Sequence, residues 1–225
     1  MPSENVENYL KRIYSIELTG ERVSTSLLSE KLQISPASVT EMIKRLADDG
    51  NVVYTPYKGV ELTQKGKKNA IRVLRRHRLW ELFLVKVLHY GWDEIHEEAE
   101  RLQHMTSAKL EERLDAFLGH PALDPHGDAI PTADGVLTHG GAIPLTQSTA
   151  STLVVTRVSD ENPDILKYAT RCGITLGRTM KVKERMAFDG SMKVEIDGRE
   201  LFISAMFGDN IFVRPSRPKK DKRYD

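Results

Sequence analysis

Apolar positions in the first fifty residues recur with the period of an α-helix. The first stripe predicts an amphipathic helix that ends at Gly20, and it consists of Val6, Tyr9, Leu10 and Ile13. A second short helix is predicted over residues 25–32. A third begins at Ser35-Pro36, because serine is a good N-cap and proline fits the first helical position. Its apolar stripe is Val39, Met42, Ile43 and Leu46.

Two short β-like runs follow the third helix. Val52–Tyr54 and Val60–Leu62 flank a turn at Lys58-Gly59, and this pattern predicts a hairpin. Two short helices joined by a tight turn and followed by a hairpin are typical of a winged helix-turn-helix. We therefore expect residues 1–74 to form a DNA-binding domain.

The middle of the chain is helical and then irregular. Helical periodicity runs from about Lys65 to Leu88, resumes near Asp93, and returns over Ser107–Leu118. Residues 119–150 contain five glycines and four prolines without periodicity, which predicts an irregular linker. We assign residues 75–145 to a helical domain with this linker.

The last third changes to a β-rich pattern. Thr152–Val158 predicts a strand, and Asn162-Pro163 starts a short helix that ends at Gly173. Three or four strands follow, with a hairpin at Asp197-Gly198. We expect a small β-barrel over residues 150–215 and a basic tail over 216–225. The predicted fold class is mainly α with a C-terminal small β-barrel.

Charge is segregated along the chain although the total of 33 basic and 32 acidic side chains is nearly balanced. Residues 1–78 carry 14 Lys/Arg and 9 Asp/Glu, a balance of +5, whereas residues 79–130 carry 4 and 11, a balance of −7. A basic first third suits phosphate and an acidic middle suits a divalent cation. The single cysteine, Cys172, excludes a disulfide framework and a thiolate-rich metal site. No secretory signal or membrane-spanning run is found, so we expect a cytoplasmic protein with no membrane partner and no small-molecule substrate.

The third helix has the side chains of a recognition helix. Small and polar residues at its N-terminal end allow close approach to base edges, and basic residues nearby suit phosphate. The candidates for DNA contact are Ser35, Pro36, Ala37, Ser38, Thr40, Lys44, Arg45 and Lys58. The alternative is a winged helix used for protein contacts or as a purely structural unit.

Histidines and carboxylates share helix faces in the acidic middle of the chain. His77 and Glu81 are four residues apart, and His96, Glu100 and His104 repeat that spacing on the next helix. Two helices that offer imidazole and carboxylate make a plausible metal site. The alternative is a set of structural hydrogen bonds. A zinc protease is disfavoured because position 100 is Glu where H-E-x-x-H needs its second His, although a metal-dependent hydrolase remains a weaker possibility.

These segments together resemble the DtxR/MntR family of iron- and manganese-dependent repressors over essentially the whole chain. The resemblance lies in ENYLKRIY (7–14), SPASVTEMIKRL (35–46), YKGVELTQKGKK (57–68), HRLWE (77–81) and HEEAERLQH (96–104). It implies that residues 75–145 are a metal-binding and dimerisation domain and that an SH3-like domain of the FeoA type follows. It also implies a primary metal site at Asn8, Glu100, Gln103 and His104. Three positions depart from the family pattern, namely Asn8, Lys11 and Gln103, and Lys11 should disfavour a two-metal version of that site.

The resemblance further implies an ancillary metal site. Its candidates are His77, Glu81, His96, Asp124, His126 and Asp160, with Glu161 as an alternative to Asp160. The expected function is a metal-dependent repressor that binds a palindromic operator in double-stranded DNA as a homodimer, with Mn²⁺ favoured over Fe²⁺. The alternatives are an Fe²⁺-dependent repressor of iron uptake and a metal-independent winged-helix protein. Five apolar residues are candidates either for the dimer interface or for the intrachain core: Trp80, Phe83, Leu110, Leu114 and Phe117.

Overall fold

The computed structural model describes residues 3–56, 58–138 and 140–216. The chain forms two compact units. The first comprises Met1–Phe83, Glu97–Ala122 and Ile130–Leu137, and the second comprises Leu84–His96, Leu123–Ala129 and Thr138–Asp225. The predicted basic tail lies outside the described residues except for Ser216, and so does Tyr57 of the predicted hairpin.

Three helices and a hairpin begin the first unit. They are α1 (Glu4–Leu18), α2 (Thr25–Leu32), α3 (Pro36–Asp48), β1 (Val52–Thr55) and β2 (Gly59–Leu62). The side chain of Ser35 caps α3 by accepting from the backbone N–H of Ser38 at 3.2 Å. The two strands pair in antiparallel register from Val52 opposite Leu62 to Thr55 opposite Gly59. The predicted helix-turn-helix and hairpin are therefore confirmed for the described residues.

The apolar stripes of these helices meet in one core. Leu10 and Ile13 of α1, Leu28 of α2 and Ile43 of α3 are fully buried there. Each stripe occupies the face that its spacing predicted, because residues three and four apart lie above one another on a helix. This core holds α3 in place by its apolar face and leaves the opposite face of the helix exposed to solvent.

Three further helices continue the chain. They are α4 (Gln64–Leu88), α5 (Ile95–Met105) and α6 (Ala108–Phe117), the last capped by Ser107. The first turn of α4 packs tightly on the preceding backbone, since a Cβ added to Gly66 would lie 2.0 Å from the carbonyl oxygen of Asn51. Leu79 and Leu82 of α4 pack with Leu114 of α6 and with Ile130 in a separate small core.

A buried network of charges joins α4 to α6. Arg76 donates from Nε to Glu111 Oε2 at 2.9 Å, and Arg75 donates from Nε to Glu111 Oε1 at 3.2 Å. Arg75 also lies 3.0 Å from Asp115 and donates to the carbonyl of Pro131. Buried guanidinium groups need such partners because an unpaired buried charge is costly. This network was not predicted from the sequence.

The second unit contains a six-stranded antiparallel sheet. Its strands are β3 (Ile143–Pro144), β4 (Thr152–Val158), β5 (Thr179–Arg185), β6 (Met192–Ile196), β7 (Arg199–Ile203) and β8 (Ile211–Pro215). Their order across the sheet is β3-β8-β4-β5-β6-β7. Asp197 and Gly198 join β6 to β7 with φ values of 49° and 79°, as a two-residue hairpin with a type I′ turn requires.

Two helices accompany the sheet. They are α7 (Pro163–Arg171), which begins after the predicted cap Asn162, and the short α8 (Ala205–Asp209). Leu166 of α7 and Phe207 of α8 pack on buried sheet residues such as Val155 and Val213. Helix α8 was missed because five residues are too few to display a period.

One feature differs from the sequence prediction. Part of the predicted linker is ordered, because Ile143 and Pro144 pair with Val213 and Phe212 as the edge strand β3, followed by a 3-10 turn over Leu145–Gln147. Because β3 pairs with β8, which lies far away in the sequence, no local pattern of residues indicates this strand. The strands form an ordered antiparallel sheet in which β3 and β7 are the two edges, so the pairing does not establish a closed barrel. None of the described helices is both long enough and apolar enough to cross a membrane.

Candidate DNA-binding surface and metal site

The N-terminal end of α3 is exposed to solvent. Ser35, Pro36, Ala37 and Ser38 are exposed, and Thr40 is half-buried with its hydroxyl donating to the carbonyl of Pro36 at 2.8 Å. The hydroxyls of Ser35 and Ser38 lie 2.9 Å apart. These side chains are small, and a helix N-terminus attracts phosphate.

The basic side chains on α3, at the hairpin and at the start of α4 differ in their surroundings. Lys44 and Arg45 on α3 and Lys58 beside the hairpin are exposed. Lys65 and Lys67 are differently placed, because Lys65 donates to the carbonyl of Asp49 at 2.6 Å and Lys67 lies 3.6 Å from Glu17. The first three are therefore the better candidates for phosphate contact. Such contacts position a protein on DNA without reading its sequence.

The four residues expected at the primary metal site come together between α1 and α5. Gln103 donates from Nε2 to Asn8 Oδ1 at 3.4 Å, and the same nitrogen lies 2.9 Å from His104 Nε2. An amide NH₂ can only donate, so Nε2 of His104 must accept. The proton of His104 then sits on Nδ1, which lies 2.6 Å from Glu7 Oε2. This fixes the tautomer that presents Nε2 to the cluster.

Lys11 enters the same cluster from α1. Its ammonium forms an ion pair with Glu100 Oε2 and donates to Gln103 Oε1 at 3.1 Å. Burial lowers the pKa of Lys11, and the neighbouring Glu100 carboxylate opposes that shift. Two of the four expected metal ligands thus present their oxygens to a lysine.

Glu7 was missed as a member of this site. It is buried, and its carboxylate meets His104 on the other helix. A signal was available, because Glu7 and Lys11 are four residues apart and share a helix face with Asn8 close by. A glutamate inside the apolar stripe of α1 needed a partner.

Two predicted ancillary residues lie on α4 in the first unit. His77 and Glu81 are buried, and His77 Nε2 lies 3.0 Å from Glu81 Oε1. The other ring nitrogen of His77 lies 3.5 Å from Glu100 Oε2. An imidazole between two carboxylates is an arrangement that suits a divalent cation. His96 is exposed in the first turn of α5.

Besides His96, three predicted ancillary residues lie in the second unit. His126 is completely buried, and its Nε2 lies 2.7 Å from the carbonyl oxygen of Trp92, so that nitrogen carries the proton. Its Nδ1 makes no hydrogen bond within the described structure and lies 3.9 Å from Asp160 Oδ2. Asp124 accepts the backbone N–H groups of His126 and Asp128 through Oδ1, each at 2.9 Å. A buried imidazole lone pair facing a carboxylate at this distance fits a shared metal ion, because neither group satisfies the other directly.

Three domain families match the chain in succession. Residues 1–60 match the "Iron dependent repressor, N-terminal DNA binding domain", residues 63–132 match its "metal binding and dimerisation domain", and residues 146–215 match the FeoA domain. The iron-dependent repressor IdeR of Mycobacterium leprae is 33% identical over 160 residues, which cover 71% of this chain and 68% of that protein. The chain belongs to the iron-dependent repressor family, the DtxR family.

Further similar proteins include the diphtheria toxin repressor and two solved manganese regulators. The diphtheria toxin repressor of Corynebacterium diphtheriae is 32% identical over 146 residues, which cover 64% of this chain and 65% of that protein. A solved manganese-dependent transcriptional repressor in complex with manganese is 38% identical, with a TM-score of 0.88, and the match covers 94% of this chain and 100% of that one. The manganese regulator SloR is 34% identical with a TM-score of 0.80, and the match covers 96% of this chain and 100% of that one.

Membership confirms the family resemblance and the expectation of a metal-dependent DNA-binding repressor. The family consists of transcriptional repressors, which are not enzymes, so the hydrolase alternative is excluded. The relatives include both iron- and manganese-dependent proteins and leave the choice of metal open.

Proposed function

We propose that this protein is a manganese-responsive repressor that binds a palindromic operator as a homodimer. The observation that carries the proposal is the cluster of Asn8, Glu100, Gln103 and His104 between α1 and α5. Helix α1 packs against α2 and α3 in the hydrophobic core of the DNA-binding domain. A change in the position of α1 at its contact with α5 can therefore reach the recognition helix.

The ligand set that we propose for the primary site is this cluster of four. His104 offers Nε2 while Glu7 holds its Nδ1 proton, which is the usual support of a metal-bound histidine. A bound divalent ion would supply a positive charge shared by donors from both helices. If the metal and the operator favour the same conformer, each raises the affinity for the other by the same factor.

We propose the ancillary ligands within each unit separately. His77 and Glu81 on α4 form one set together with Glu100, supported by their distances and burial. His126, Asp160 and Asp124 form another, supported by the buried lone pair of His126. The contribution of His96 stays a prediction.

The donor chemistry supports Mn²⁺ first. All proposed ligands are imidazole, carboxylate or amide groups. Hard oxygen donors bind Mn²⁺ and Fe²⁺ better than they bind soft metal ions. The second candidate is Fe²⁺, which the similarity to IdeR favours. Zn²⁺ or Co²⁺ can bind more tightly in vitro because affinity rises along the first transition series. Chelation therefore has to precede every comparison of metals.

The five apolar dimer candidates divide into two groups. Leu114 is buried, and Trp80 and Phe83 pack against the core of α4 and α6, where the two rings meet edge to face at 5.5 Å. Leu110 and Phe117 remain 43% and 67% exposed. We propose that the side chains of Leu110 and Phe117 contact the partner subunit in the homodimer. A two-fold dimer would place its recognition helices about 34 Å apart, one turn of DNA, on a palindrome.

We also propose that the six-stranded sheet curls into an SH3-like barrel. Register shifts occur between Val155 and Arg157 and between Val182 and Glu184. Such bulges bend and twist a sheet, as closure requires. The protein would act in the cytoplasm, where its operator DNA is found.

A pair of histidine variants tests the primary site. His104→Ala should keep its fold and lose the effect of Mn²⁺ on operator binding, because the cluster loses its only imidazole. His120→Ala is the matched control, since that side chain is 73% exposed. Fluorescence anisotropy with labelled operator, with and without Mn²⁺, measures the ratio of affinities. A full metal response in His104→Ala would contradict the assignment.

A further inference from the structure

Lys11 places a positive charge inside the cluster that is proposed to bind a divalent ion. Its side chain is 14% exposed and lies on the face of α1 that meets α5. The ammonium contacts the carboxylate of Glu100 and the amide oxygen of Gln103, one turn apart on α5. These are the oxygens that the proposed primary site would offer to a divalent ion.

The contacts of Lys11 resemble those of a small hard cation. The carboxylate oxygen of Glu100 and the amide oxygen of Gln103, three residues later, converge on the ammonium of Lys11. Because Lys11 belongs to α1, these contacts also connect α1 to α5. An ammonium satisfies hard oxygen donors much as a metal does, although with one charge and without a preferred coordination geometry.

We propose that Lys11 is a built-in cation of this site, which links α1 to α5 without a metal and competes with a divalent ion for Glu100 and Gln103. The inference rests on the proposed function, because the same two side chains are proposed as metal ligands. While Lys11 is paired, the other two candidate ligands are Asn8 Oδ1 and His104 Nε2, and both of these atoms accept from Gln103 Nε2. Metal loading at the primary site then requires displacement of the ammonium, which raises the metal concentration at which the protein responds.

Charge arithmetic supports competition over joint occupancy. With Lys11 in place, Glu100 is already paired with a positive charge, and Glu7 is bonded to His104. A divalent ion within about 4 Å of the ammonium would be repelled strongly in a partly buried site. Replacing Lys11 with a neutral side chain of similar length should therefore strengthen metal binding by at least about tenfold.

Lys11→Met removes the charge and keeps an apolar stem. Lys109→Met is the control, because it removes one positive charge from an exposed position of α6. Isothermal titration with Mn²⁺ after chelation gives stoichiometry and affinity for the wild type and both variants. We expect Lys11→Met to bind one additional ion or to bind at least tenfold more tightly, with Lys109→Met like the wild type. Equal titrations for Lys11→Met and the wild type would overturn the proposal.

Hydrogen exchange tests the link between the helices independently of affinity. In the metal-free state, α1 of Lys11→Met should exchange faster than α1 of the wild type, and Mn²⁺ should restore its protection. Lys11→Arg keeps the charge and should behave like the wild type in both assays, and circular dichroism verifies that each variant is folded. Unchanged exchange in metal-free Lys11→Met would show that the ion pair does not hold α1, and it would overturn the linking role.

These results separate the inference from the proposed function. If the operator affinity of the wild type does not change with Mn²⁺, the proposed function fails whatever Lys11→Met binds. If the wild type responds to Mn²⁺ and Lys11→Met gains no metal affinity, only the role of Lys11 fails.

Discussion

The charge network between α4 and α6 permits a quantitative prediction for Glu111→Gln. The substitution keeps the shape of the side chain and removes the charge that faces Arg75 and Arg76, whose side chains are 7% and 3% exposed. Removing one partner of a buried ion pair typically costs about 3–5 kcal/mol. Arg75 keeps Asp115 at 3.0 Å and the carbonyl of Pro131, so we expect the lower end, about 3 kcal/mol.

Thermal and chemical denaturation measure this loss. For a chain of 225 residues, about 1 kcal/mol corresponds to roughly 2–4 °C, so Glu111→Gln should lower Tm by about 6–12 °C. Glu112→Gln is the matched control, because Glu112 is exposed on the same helix, and its effect should stay within about 0.5 kcal/mol. A Tm for Glu111→Gln within about 2 °C of the wild type would refute the view that this carboxylate compensates two buried arginines.

The remaining predictions concern the DNA-binding unit. Gly66→Ala should destabilise the protein by about 1–3 kcal/mol in urea denaturation, because its Cβ would lie 2.0 Å from a backbone oxygen; no loss of stability would mean that α4 does not start in this close contact. Lys44→Ala should weaken binding to specific and non-specific DNA alike and reduce the salt dependence by about one phosphate contact. A selective loss of operator binding by Lys44→Ala would instead indicate contact with a base.

Local patterns were sufficient to predict most of the fold. The stripes of α1 and α3, the cap at Ser35 and the hairpin at Asp197-Gly198 each depend on residues close together in the sequence, so spacing and turn chemistry identify them. The strand β3 was missed because its pairing with β8 joins residues about 70 positions apart. Two residues of a linker carry no period of their own.

Four members of the candidate site were predictable, whereas Glu7 and the pairing of side chains within the site were not. The family resemblance gave Asn8, Glu100, Gln103 and His104, and the structure brings them together. The bonds from Glu7 to His104 and from Lys11 to Glu100 cross between helices about 90 residues apart. Side-chain pairs of that kind depend on how α1 and α5 pack, which helical periodicity does not specify. Arg75 and Arg76 were likewise unassigned, because charged residues within a helix usually face solvent.

The most direct test of metal-dependent repression is selection of bound fragments from total genomic DNA by the purified homodimer. The protein is first stripped of metal and then incubated with Mn²⁺, with Fe²⁺ under anaerobic conditions, or with chelator. We predict enrichment of a palindromic sequence with Mn²⁺ and none with chelator. Equal enrichment of the same sequence with chelator would contradict the account, because the histidine and carboxylate clusters would then be structural and the protein would bind its operator without sensing a metal.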